Sequence, residues 1–407
     1  MPTRYGVSPW IDGVPVKKRP SHPVLRGAIE APLVIIGGGL SGVMTAYAAA
    51  AAGIKVVLLE AATVGQGGSG HGSGLMAGEA TTSFLDLQAS AGRRIARAQF
   101  DHVRRAVLDL AAGVRRLRIK ADLDTLHAIR LVPPGASAAQ LRREVDARHQ
   151  VDLDSTWLKP AAVRKAAGTE AEAGARLVPW GASNPYQLVI GFAAAAEARG
   201  ARLFERTEVT KVTFDRVRAT VVTPNGRIVT PQVVHCTGEP TGLVAALKRH
   251  FRWDVRSLVL TDVLPVAVRK AIGPPRSIVC DTDTPPHTIR WTADHRVLVG
   301  GVESARPKGA WAEKLDVQRT GQLMYELSRL YPDISGVMPA YGWSVPLAHS
   351  VDGGLYVGPH RNFPHQLFAF GTTHDPARAF LASRILLRHV QGTTTSDDEL
   401  FGFARAL

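Results

Sequence analysis

The sequence contains little cysteine. Its 407 residues include only Cys236 and Cys280, which are too few for a disulfide framework or a structural zinc site. Neither has a sequence context that indicates reactive chemistry, so we interpret both as buried apolar residues. These observations predict a protein of a reducing, cytoplasmic compartment, and we predict no metal site.

Long hydrophobic runs are also absent. The most apolar stretch, residues 43–59, is interrupted by Gly53 and Lys55, which is typical of a buried helix followed by a buried strand. The first residues contain no basic segment followed by an apolar one, so no signal peptide is predicted. We therefore expect no membrane span.

Acidic residues are in the minority. Lys and Arg number 49 against 35 Asp and Glu, which gives a formal net charge of +14. The basic residues are spread along the chain without a continuous block or an aromatic-interleaved stripe, and this disfavours a nucleic-acid partner. The length and the 45% hydrophobic content predict two globular domains with room for a buried ligand.

A glycine-rich turn follows the first strongly apolar segment. Residues 33–36 (LVII) are typical of a strand buried on both faces, and an alanine-rich helix is predicted to end at Gly53. Between them, residues 37–42 (GGGLSG) match G-x-G-x-x-G, whose glycines permit a tight turn, the approach of a pyrophosphate and close helix packing. The helix N-terminus offers N–H groups to the phosphates. The predicted dinucleotide contacts are Gly37, Gly39, Leu40, Ser41 and Gly42.

Glu60 ends the second predicted strand. A carboxylate about 20 residues after such a turn accepts hydrogen bonds from the ribose hydroxyls of an adenosine dinucleotide. It also disfavours NADP, because the 2′-phosphate would meet a like charge. Glu60 is therefore predicted to hold the ribose of FAD or NAD.

A second glycine-rich segment favours FAD over NAD. Residues 65–78 (GQGGSGHGSGLMAG) follow the Glu60 strand and add backbone N–H donors near the dinucleotide. A strand-two glutamate followed by such a loop resembles the D-amino-acid-oxidase-like family of flavoproteins. Residues 67–74 are similar to the G-A-S-G-R-N-G-G stretch of its γ-glutamylputrescine oxidase group, to which glycine oxidase is related. The resemblance implies bound FAD, with Ser69, Gly70, His71 and Leu75 among its contacts.

The resemblance continues to about residue 390. Residues 205–209 are similar to the strand whose valine contacts adenine, and residues 236–238 (CTG) stand where the family has A-T-G. Residues 290–301 are similar to its R-x-T-x-D-G-R…G-G strand pair, and Gly371 opens the last FAD segment. The further FAD contacts that the resemblance implies are Val209, Thr237, Gly238, Gly371, Thr372 and Thr373.

The fold that the resemblance implies is α/β. A Rossmann-like FAD-binding domain of the GR2 flavoprotein type is combined with a discontinuous antiparallel-sheet substrate domain. We assign residues 1–31 to an N-terminal arm, residues 32–90, 181–245 and 341–407 to the FAD-binding domain, and residues 91–180 and 246–340 to the substrate domain.

The resemblance also implies a reaction. Family members take hydride from the C–H beside a neutral amine nitrogen, which gives an imine that water hydrolyses. The chain is accordingly expected to oxidise a small-molecule amine or amino acid and to pass electrons to O2 or another acceptor. The resemblance implies no particular oligomeric state. His287 and His349 are further candidates for substrate contact. The residues predicted to act in the catalytic site are His374, Arg290 and Trp343.

The sequence departs from the family pattern at three places that affect this chemistry. Residues 371–376 (GTTHDP) replace the usual G-H-x-x-N-G, and Asp375 with Pro376 forms a good helix start whose carboxylate offsets positive potential near the flavin. No arginine occurs in residues 341–347, where amino-acid oxidases of the family pair the substrate carboxylate, and this favours an amine. His71 replaces an arginine; we favour non-covalent FAD, with a covalent link to His71 as the alternative.

Two other functions stay open at this point. An FAD domain of this kind modifies wobble bases in tRNA, and a net charge of +14 suits RNA. An arginine cluster around the flavin pocket would support that function. The other alternative is a non-catalytic FAD-binding paralogue in which the altered residues 371–376 have abolished turnover.

Overall fold

The computed structural model describes residues 2–272, 277–283, 285–305 and 311–406. The strands are β1 (Arg4–Tyr5), β2 (Gly27–Glu30), β3 (Leu33–Ile36), β4 (Val56–Leu59), β5 (Leu75–Met76), β6 (Asp124–Val132), β7 (Ser155–Leu158), β8 (Ala173–Ala182), β9 (Arg202–Phe204), β10 (Lys211–Phe214), β11 (Ala219–Thr223), β12 (Gly226–Thr230), β13 (Val233–Gly238), β14 (Phe251–Thr261), β15 (Ser277–Cys280), β16 (Thr288–Trp291), β17 (Val297–Ala305), β18 (Pro339–Ser350), β19 (Tyr356–His360) and β20 (Phe363–Phe370). The α-helices are α1 (Pro9–Asp12), α2 (Leu40–Ala51), α3 (Gly68–His71), α4 (Phe84–Ala91), α5 (Arg93–Leu117), α6 (Ala139–His149), α7 (Pro160–Ala167), α8 (Pro185–Glu197), α9 (Val266–Ile272), α10 (Trp311–Leu330) and α11 (Pro376–Gln391). Short 3-10 segments cover Val16–Lys18, Gly242–His250, Pro332–Ile334, Asp398–Phe401 and Phe403–Ala406.

A six-stranded sheet carries the glycine-rich turn. Its order is β19-β20-β13-β3-β4-β9, and all neighbours are parallel except the β19–β20 pair. Every residue of β3 and β4 is buried because α2, α8 and α11 cover one face while β10–β12 cover the other. α2 runs from Leu40 to Ala51, and Gly53 (φ +80°) follows its end in the left-handed conformation that glycine adopts freely. The predicted Rossmann-like α/β fold is confirmed.

A ten-stranded sheet forms the second layer of the molecule. Its main path is β1-β18-β14-β17-β16-β15-β6-β8-β5, with β7 paired to β8, and most neighbours are antiparallel. The side chains of α7, α9 and α10 pack on it around a second hydrophobic core. The sheet contains β1, β5 and β18, which come from distant parts of the chain. The pairing of β1 with β18 places the N-terminal segment beside residues 341–342.

Both cysteines are buried, as the sequence predicts. Cys236 and Cys280 are 4% and 3% exposed, and burial raises the pKa of each thiol to about 12. Both thiols therefore stay protonated at neutral pH and behave as apolar side chains. In the described part of the chain, none of the helices combines the length and apolar character needed to traverse a bilayer.

Candidate active site

The glycine-rich turn opens onto a cavity. This glycine-rich cavity has a volume of about 780 Å³, within the range of roughly 300–1,000 Å³ for small-molecule and cofactor sites. The predicted contacts that line it are Gly37, Gly39, Leu40, Ser41, Glu60, Ser69, Val209, Thr237, Gly238, Thr372 and His374.

The backbone of the turn is packed as closely as a phosphate cradle requires. Gly37 has φ +109°, and a Cβ atom on it would lie 2.5 Å from the Cys236 carbonyl oxygen. A Cβ atom on Gly39 would lie 2.8 Å from Ser69 Oγ, which accepts a hydrogen bond from the Leu40 amide at 3.0 Å. The first amide of α2 is thus directed at the glycine-rich segment, where an anionic group is stabilised by the helix N-terminus.

Glu60 is held at the cavity wall by two backbone amides. Its Oε2 atom accepts from Gly38 N at 2.7 Å, and its Oε1 atom accepts from Ala62 N at 2.9 Å. These contacts hold the carboxylate beside the turn while leaving lone pairs on both oxygens for further donors. The close-packed turn, the amide of α2 and this carboxylate together fit an adenosine dinucleotide such as FAD.

Six predicted contacts lie outside the cavity lining. Gly42 and Gly70 are required for close backbone packing. A Cβ atom on Gly42 would overlap the Gly37 carbonyl oxygen, and one on Gly70 would overlap that of Gly65. The His71 Nδ1–H donates to Gly67 O at 2.9 Å on the partly exposed side of the loop. The remaining three, outside the lining of this cavity, are Leu75, Gly371 and Thr373.

Several lining residues were missed by the sequence analysis. They lie mainly in residues 207–212, which follow the predicted valine strand, and in residues 241–243, which follow Gly238. Lys211 is the one basic side chain among the described residues that line this cavity. The signal that could have found these residues is proximity in sequence to Val209 and Gly238, since a cavity wall rarely consists of isolated residues.

The start of α11 closes one end of this region. Asp375 caps the helix by accepting from the Ala377 and Arg378 amides at 2.8 and 3.2 Å, and Pro376 is the first helical residue, as predicted. The second carboxylate oxygen of Asp375, Oδ2, accepts from Ala77 N at 3.0 Å. Burial raises the pKa of Asp375, and the Arg378 guanidinium opposes that rise. The carboxylate is therefore largely engaged by amide donors and by Arg378.

His374 occupies a strained position against Gly68 and Gly72 of the second glycine-rich segment. Thr373 and His374 have φ +48° and +61°, a left-handed conformation that costs non-glycine residues of order 1–3 kcal/mol each. The His374 Nε2–H donates to the Pro346 carbonyl at 2.6 Å, and its ring lies where a Cβ atom on Gly68 would stand. Strain of this kind is concentrated at functional sites.

Side-chain donors hold successive carbonyls of the glycine-rich segment. Ser8 Oγ donates to Gly70 O at 2.6 Å, and Trp343 Nε1 donates to His71 O at 2.8 Å. Trp10 Nε1 donates to Gly72 O at 2.9 Å. Trp343 is 1% exposed and belongs to an apolar core cluster, so it contacts the segment from behind and lines neither cavity.

The second cavity surrounds Arg290. This Arg290 cavity has a volume of about 530 Å³, and its wall includes Trp10, Asp122 and Tyr341. Arg290 is 5% exposed, and burial lowers its pKa to about 10 while the charge of Asp122 acts in the opposite direction. The guanidinium is therefore charged at neutral pH. The other titratable residues in the described lining are Asp124, Asp294 and Arg296.

The Arg290 guanidinium is only partly satisfied by protein groups. Its Nη2 atom donates to the Ser183 carbonyl at 3.0 Å, and the group lies 4.9 Å from the centre of the Trp10 ring. Its Nε atom has no hydrogen-bond partner among the residues that the structure describes. A buried charge with an unused donor is costly unless a ligand completes its hydrogen bonds.

The two cavities are joined through short hydrogen-bonded paths. The Ser183 carbonyl accepts a hydrogen bond from Arg290. The Ser183 amide and hydroxyl donate to Gly74 O at 2.9 and 3.1 Å. Trp10 lies in the wall of the Arg290 cavity and donates a hydrogen bond to the Gly72 carbonyl. Both paths end in residues 67–74, the segment that also supplies Ser69 to the glycine-rich cavity.

His287 and His349 are placed away from both cavities. His287 is bonded through Nδ1 to Asp281 (2.6 Å) and through Nε2 to Glu326 (2.5 Å). His349 pairs with Glu303 at 3.1 Å. Their side chains connect elements of the ten-stranded sheet and its helix, so these two histidines are not brought together with Arg290 and His374.

A buried ion network lies behind the start of α11. Glu79 is paired with Arg130 and, at 2.7 Å, with Arg148, which also contacts Glu144 at 2.7 Å. The Glu79 backbone carbonyl accepts from Arg378 Nη2 at 3.1 Å. The network therefore connects the ten-stranded sheet and α6 to the helix that carries Asp375.

Comparison with known proteins agrees with this geometry. The model of the family described as "FAD dependent oxidoreductase" (DAO) matches residues 32–382. The probable oxidoreductase OrdL of Rhizobium meliloti (strain 1021) is 25% identical over 343 residues, which cover 82% of this chain and 77% of that protein. The gamma-glutamylputrescine oxidoreductase of Escherichia coli (strain K12) is 24% identical over 325 residues, covering 79% and 74%.

The fold is also similar to that of a solved oxidase. Glycine oxidase from Geobacillus kaustophilus superposes with a TM-score of 0.74 at 19% identity, over 90% of this chain and 96% of that chain. Identity at this level supports the fold and no finer statement.

Proposed function

The chain belongs to the FAD dependent oxidoreductase (DAO) family, and we propose that it oxidises a small amine that carries a carboxylate. The single observation that carries this proposal is the buried Arg290, whose Nε has no partner among the described residues and which lies in the wall of a 530 Å³ cavity. A carboxylate completes such a guanidinium with charge-assisted hydrogen bonds.

FAD supplies the redox chemistry, because it accepts hydride from the carbon beside the amine nitrogen when it is bound. The residues that would hold its diphosphate are Gly37, Gly39 and the α2 amides, and Glu60 would hold the adenosine ribose. In the proposed reaction the substrate becomes an imine, which water hydrolyses to a carbonyl compound.

The protein's own contribution is to bind and orient the substrate. Arg290 would hold the carboxylate, and the aromatic rings of Trp10 and Tyr341 would supply apolar wall to the same cavity. The two hydrogen-bonded paths to Gly72 and Gly74 support a fixed distance between this anchor and the flavin-binding segment. His374 remains our proposal for a residue near the flavin, with Trp343 supporting the loop from behind.

The proposal predicts anaerobic reduction of the bound flavin by its substrate. Purified holoprotein would be mixed without oxygen with N-methyl amino acids, D-amino acids, and primary and secondary amines that lack a carboxylate. We expect loss of visible flavin absorbance with carboxylate-bearing compounds. Reduction only by amines that lack a carboxylate would leave amine oxidation in place and show that Arg290 has another role.

Arg290→Gln tests the anchor directly. Losing a hydrogen bond to a charged group costs about 1.5–3 kcal/mol, so we expect the KM for the best carboxylate-bearing substrate to rise by about 10- to 150-fold. Arg105→Gln is the control, because that side chain is 80% exposed on α5. Equal effects in the two variants, or an unchanged KM in Arg290→Gln, would contradict the assignment.

We also propose that FAD is held without a covalent bond. The His71 ring nitrogen Nδ1 is occupied by Gly67 O, and His71 is outside the lining of the glycine-rich cavity. Acid precipitation of the wild type is therefore expected to release the flavin into the supernatant, and His71→Ala to retain stoichiometric FAD. Flavin that stays with the precipitated wild type, but not with His71→Ala, would establish the covalent alternative.

The alternatives receive less support. The RNA-modifying function called for an arginine cluster around the pocket, whereas the described lining residues include Lys211 at one cavity and, at the other, Arg290 and Arg296 beside three aspartates. The non-catalytic function depended on the altered residues 371–376, in which the Asp375 carboxylate is engaged by amides and Arg378. A cytoplasmic location remains part of the proposal and is supported by the two buried, unpaired cysteines.

A further inference from the structure

The N-terminal segment of residues 4–14, which we call the arm segment, is built into the active site. β1 adds a parallel strand beside Tyr341 and Gly342, and the Tyr341 hydroxyl donates to Asp12 Oδ2 at 2.8 Å. Ile11 and Val14 are each 9% exposed and pack against Tyr186. The arm segment precedes residues 32–382, the range that the family model matches.

Trp10 makes two contacts of different chemistry from this segment. Its ring faces the Arg290 guanidinium at 4.9 Å, a geometry in which the aromatic face attracts a cation. Its indole N–H donates to the Gly72 carbonyl at 2.9 Å. One side chain therefore contacts both the proposed carboxylate anchor and the segment that borders the glycine-rich cavity.

The ring also limits where the guanidinium can lie. Arg290 has one carbonyl partner, Ser183, and a free Nε, so its hydrogen bonds alone leave its orientation weakly determined. A planar guanidinium stacked on an indole keeps its edge available for a planar, bidentate ligand. Trp10 thereby limits the orientation of the Arg290 guanidinium in the cavity wall.

We propose that Trp10 is a positioning residue of the active site. Its ring orients Arg290, and its N–H holds Gly72, so that the arm segment sets where a carboxylate is bound relative to the flavin. The orientation of Arg290 toward a carboxylate rests on the function proposed above, whereas the contact with Gly72 does not.

Two substitutions separate the two contacts. Trp10→Phe keeps an aromatic face for Arg290 but removes the N–H donor, and Trp10→Ala removes both. Trp157→Ala is the matched control, because Trp157 faces Arg142 at 5.2 Å in a pair of the same type outside both cavities. Each holoprotein would be titrated with benzoate while its flavin absorbance is followed, and its visible circular dichroism would be recorded without benzoate.

We expect Trp10→Ala to weaken benzoate binding about fivefold or more, and Trp10→Phe to stay within about threefold of the wild type. Both variants are expected to change the visible circular dichroism of the flavin, because both lose the Gly72 contact. Trp157→Ala should match the wild type in both measurements. This pattern distinguishes orientation of Arg290 from a general loss of stability, which Trp157→Ala would share.

Two results would overturn the inference. One is wild-type benzoate affinity in Trp10→Ala; the other is an unchanged flavin circular dichroism in both Trp10 variants. If the wild-type holoprotein binds no benzoate, the carboxylate site of the proposed function is wrong, and the circular dichroism decides the role of Trp10 at Gly72.

Discussion

The double variant Gly39→Ala/Ser69→Ala is expected to fold normally and to lose tight FAD binding. Gly39 has φ −82°, a value that alanine adopts without strain. Its added Cβ atom would meet only Ser69 within 4 Å, with Oγ at 2.8 Å, and Ser69→Ala removes that oxygen. What remains is a methyl group where the diphosphate must approach the backbone.

The expected size of the effect is at least about a hundredfold in the dissociation constant of FAD, which corresponds to about 2.7 kcal/mol. Fluorescence titration of the apoprotein with FAD measures it. Ser69→Ala alone is the control for losing the hydrogen bond from the Leu40 amide and should cost about tenfold or less. Wild-type affinity in the double variant would mean that the diphosphate does not bind at this turn.

Gly42→Ala gives a contrasting result at the same turn. Its Cβ atom would overlap the Gly37 carbonyl oxygen, so α2 must move away from β3, and we expect loss of both FAD binding and stability. Gly113→Ala in α5 is the matched helical substitution, because its Cβ atom would meet nothing within 4 Å. Alanine in a helix interior is favoured over glycine by about 1 kcal/mol, so this variant should be at least as stable as the wild type.

Glu79→Ala is expected to be the most destabilising single substitution that we propose. The change would leave Arg130 and Arg148 without their shared carboxylate, and the side chains of Arg148 and Glu79 are only 5% and 7% exposed. Breaking a buried ion pair from one side costs about 3–5 kcal/mol, since an uncompensated charge stays buried. Urea unfolding followed by circular dichroism measures the loss.

The acid side of the stability profile supplies a second measurement for Glu79. Burial by itself would raise the pKa of this carboxyl group, but Arg130 and Arg148 outweigh it and hold the pKa below the usual 4.5. A depressed pKa means that the stabilisation is present above the ordinary carboxyl range and is lost as the pH falls through the folded-state value. The difference in unfolding free energy between wild type and Glu79→Gln should therefore shrink on acidification below that range.

An exposed ion pair provides the control for Glu79. Arg164 and Glu170 lie 3.1 Å apart with side chains 72% and 66% exposed, and such pairs contribute about 0–1 kcal/mol. Glu170→Gln should therefore leave the unfolding free energy nearly unchanged. If Glu79→Ala were as mild as Glu170→Gln, the buried network would not stabilise the packing of the ten-stranded sheet against α11.

The local elements around the cofactor site could be predicted because their signals are contiguous. Strand β3, the turn at Gly37 and helix α2 occupy consecutive residues, so the strand, the turn and the helix can be predicted from one stretch of the sequence. The same holds for Asp375 and Pro376, whose side chains suit the first turn of a helix regardless of what surrounds it.

The substrate side could not be predicted in the same way. Residues 341–347 contain no arginine, and this absence favoured an amine without a carboxylate. In the structure, Arg290 lies in one cavity wall with Tyr341, because β16 and β18 join the same ten-stranded sheet. The sequence of neither segment indicates that these two strands belong to the same sheet.

The sequence by itself determined the nucleotide-binding half of this protein: a buried strand, a turn with glycine at its positive-φ and close-packed positions, a helix start and a carboxylate at the end of the next strand. Only the tertiary structure decided that Trp10, Arg290 and Ser183 meet beside Gly72 and Gly74. The physical reason is the sequence separation over which the interactions act. Backbone sterics act between neighbours in the chain, whereas contacts across hundreds of residues depend on which strands pair and on how the two layers pack.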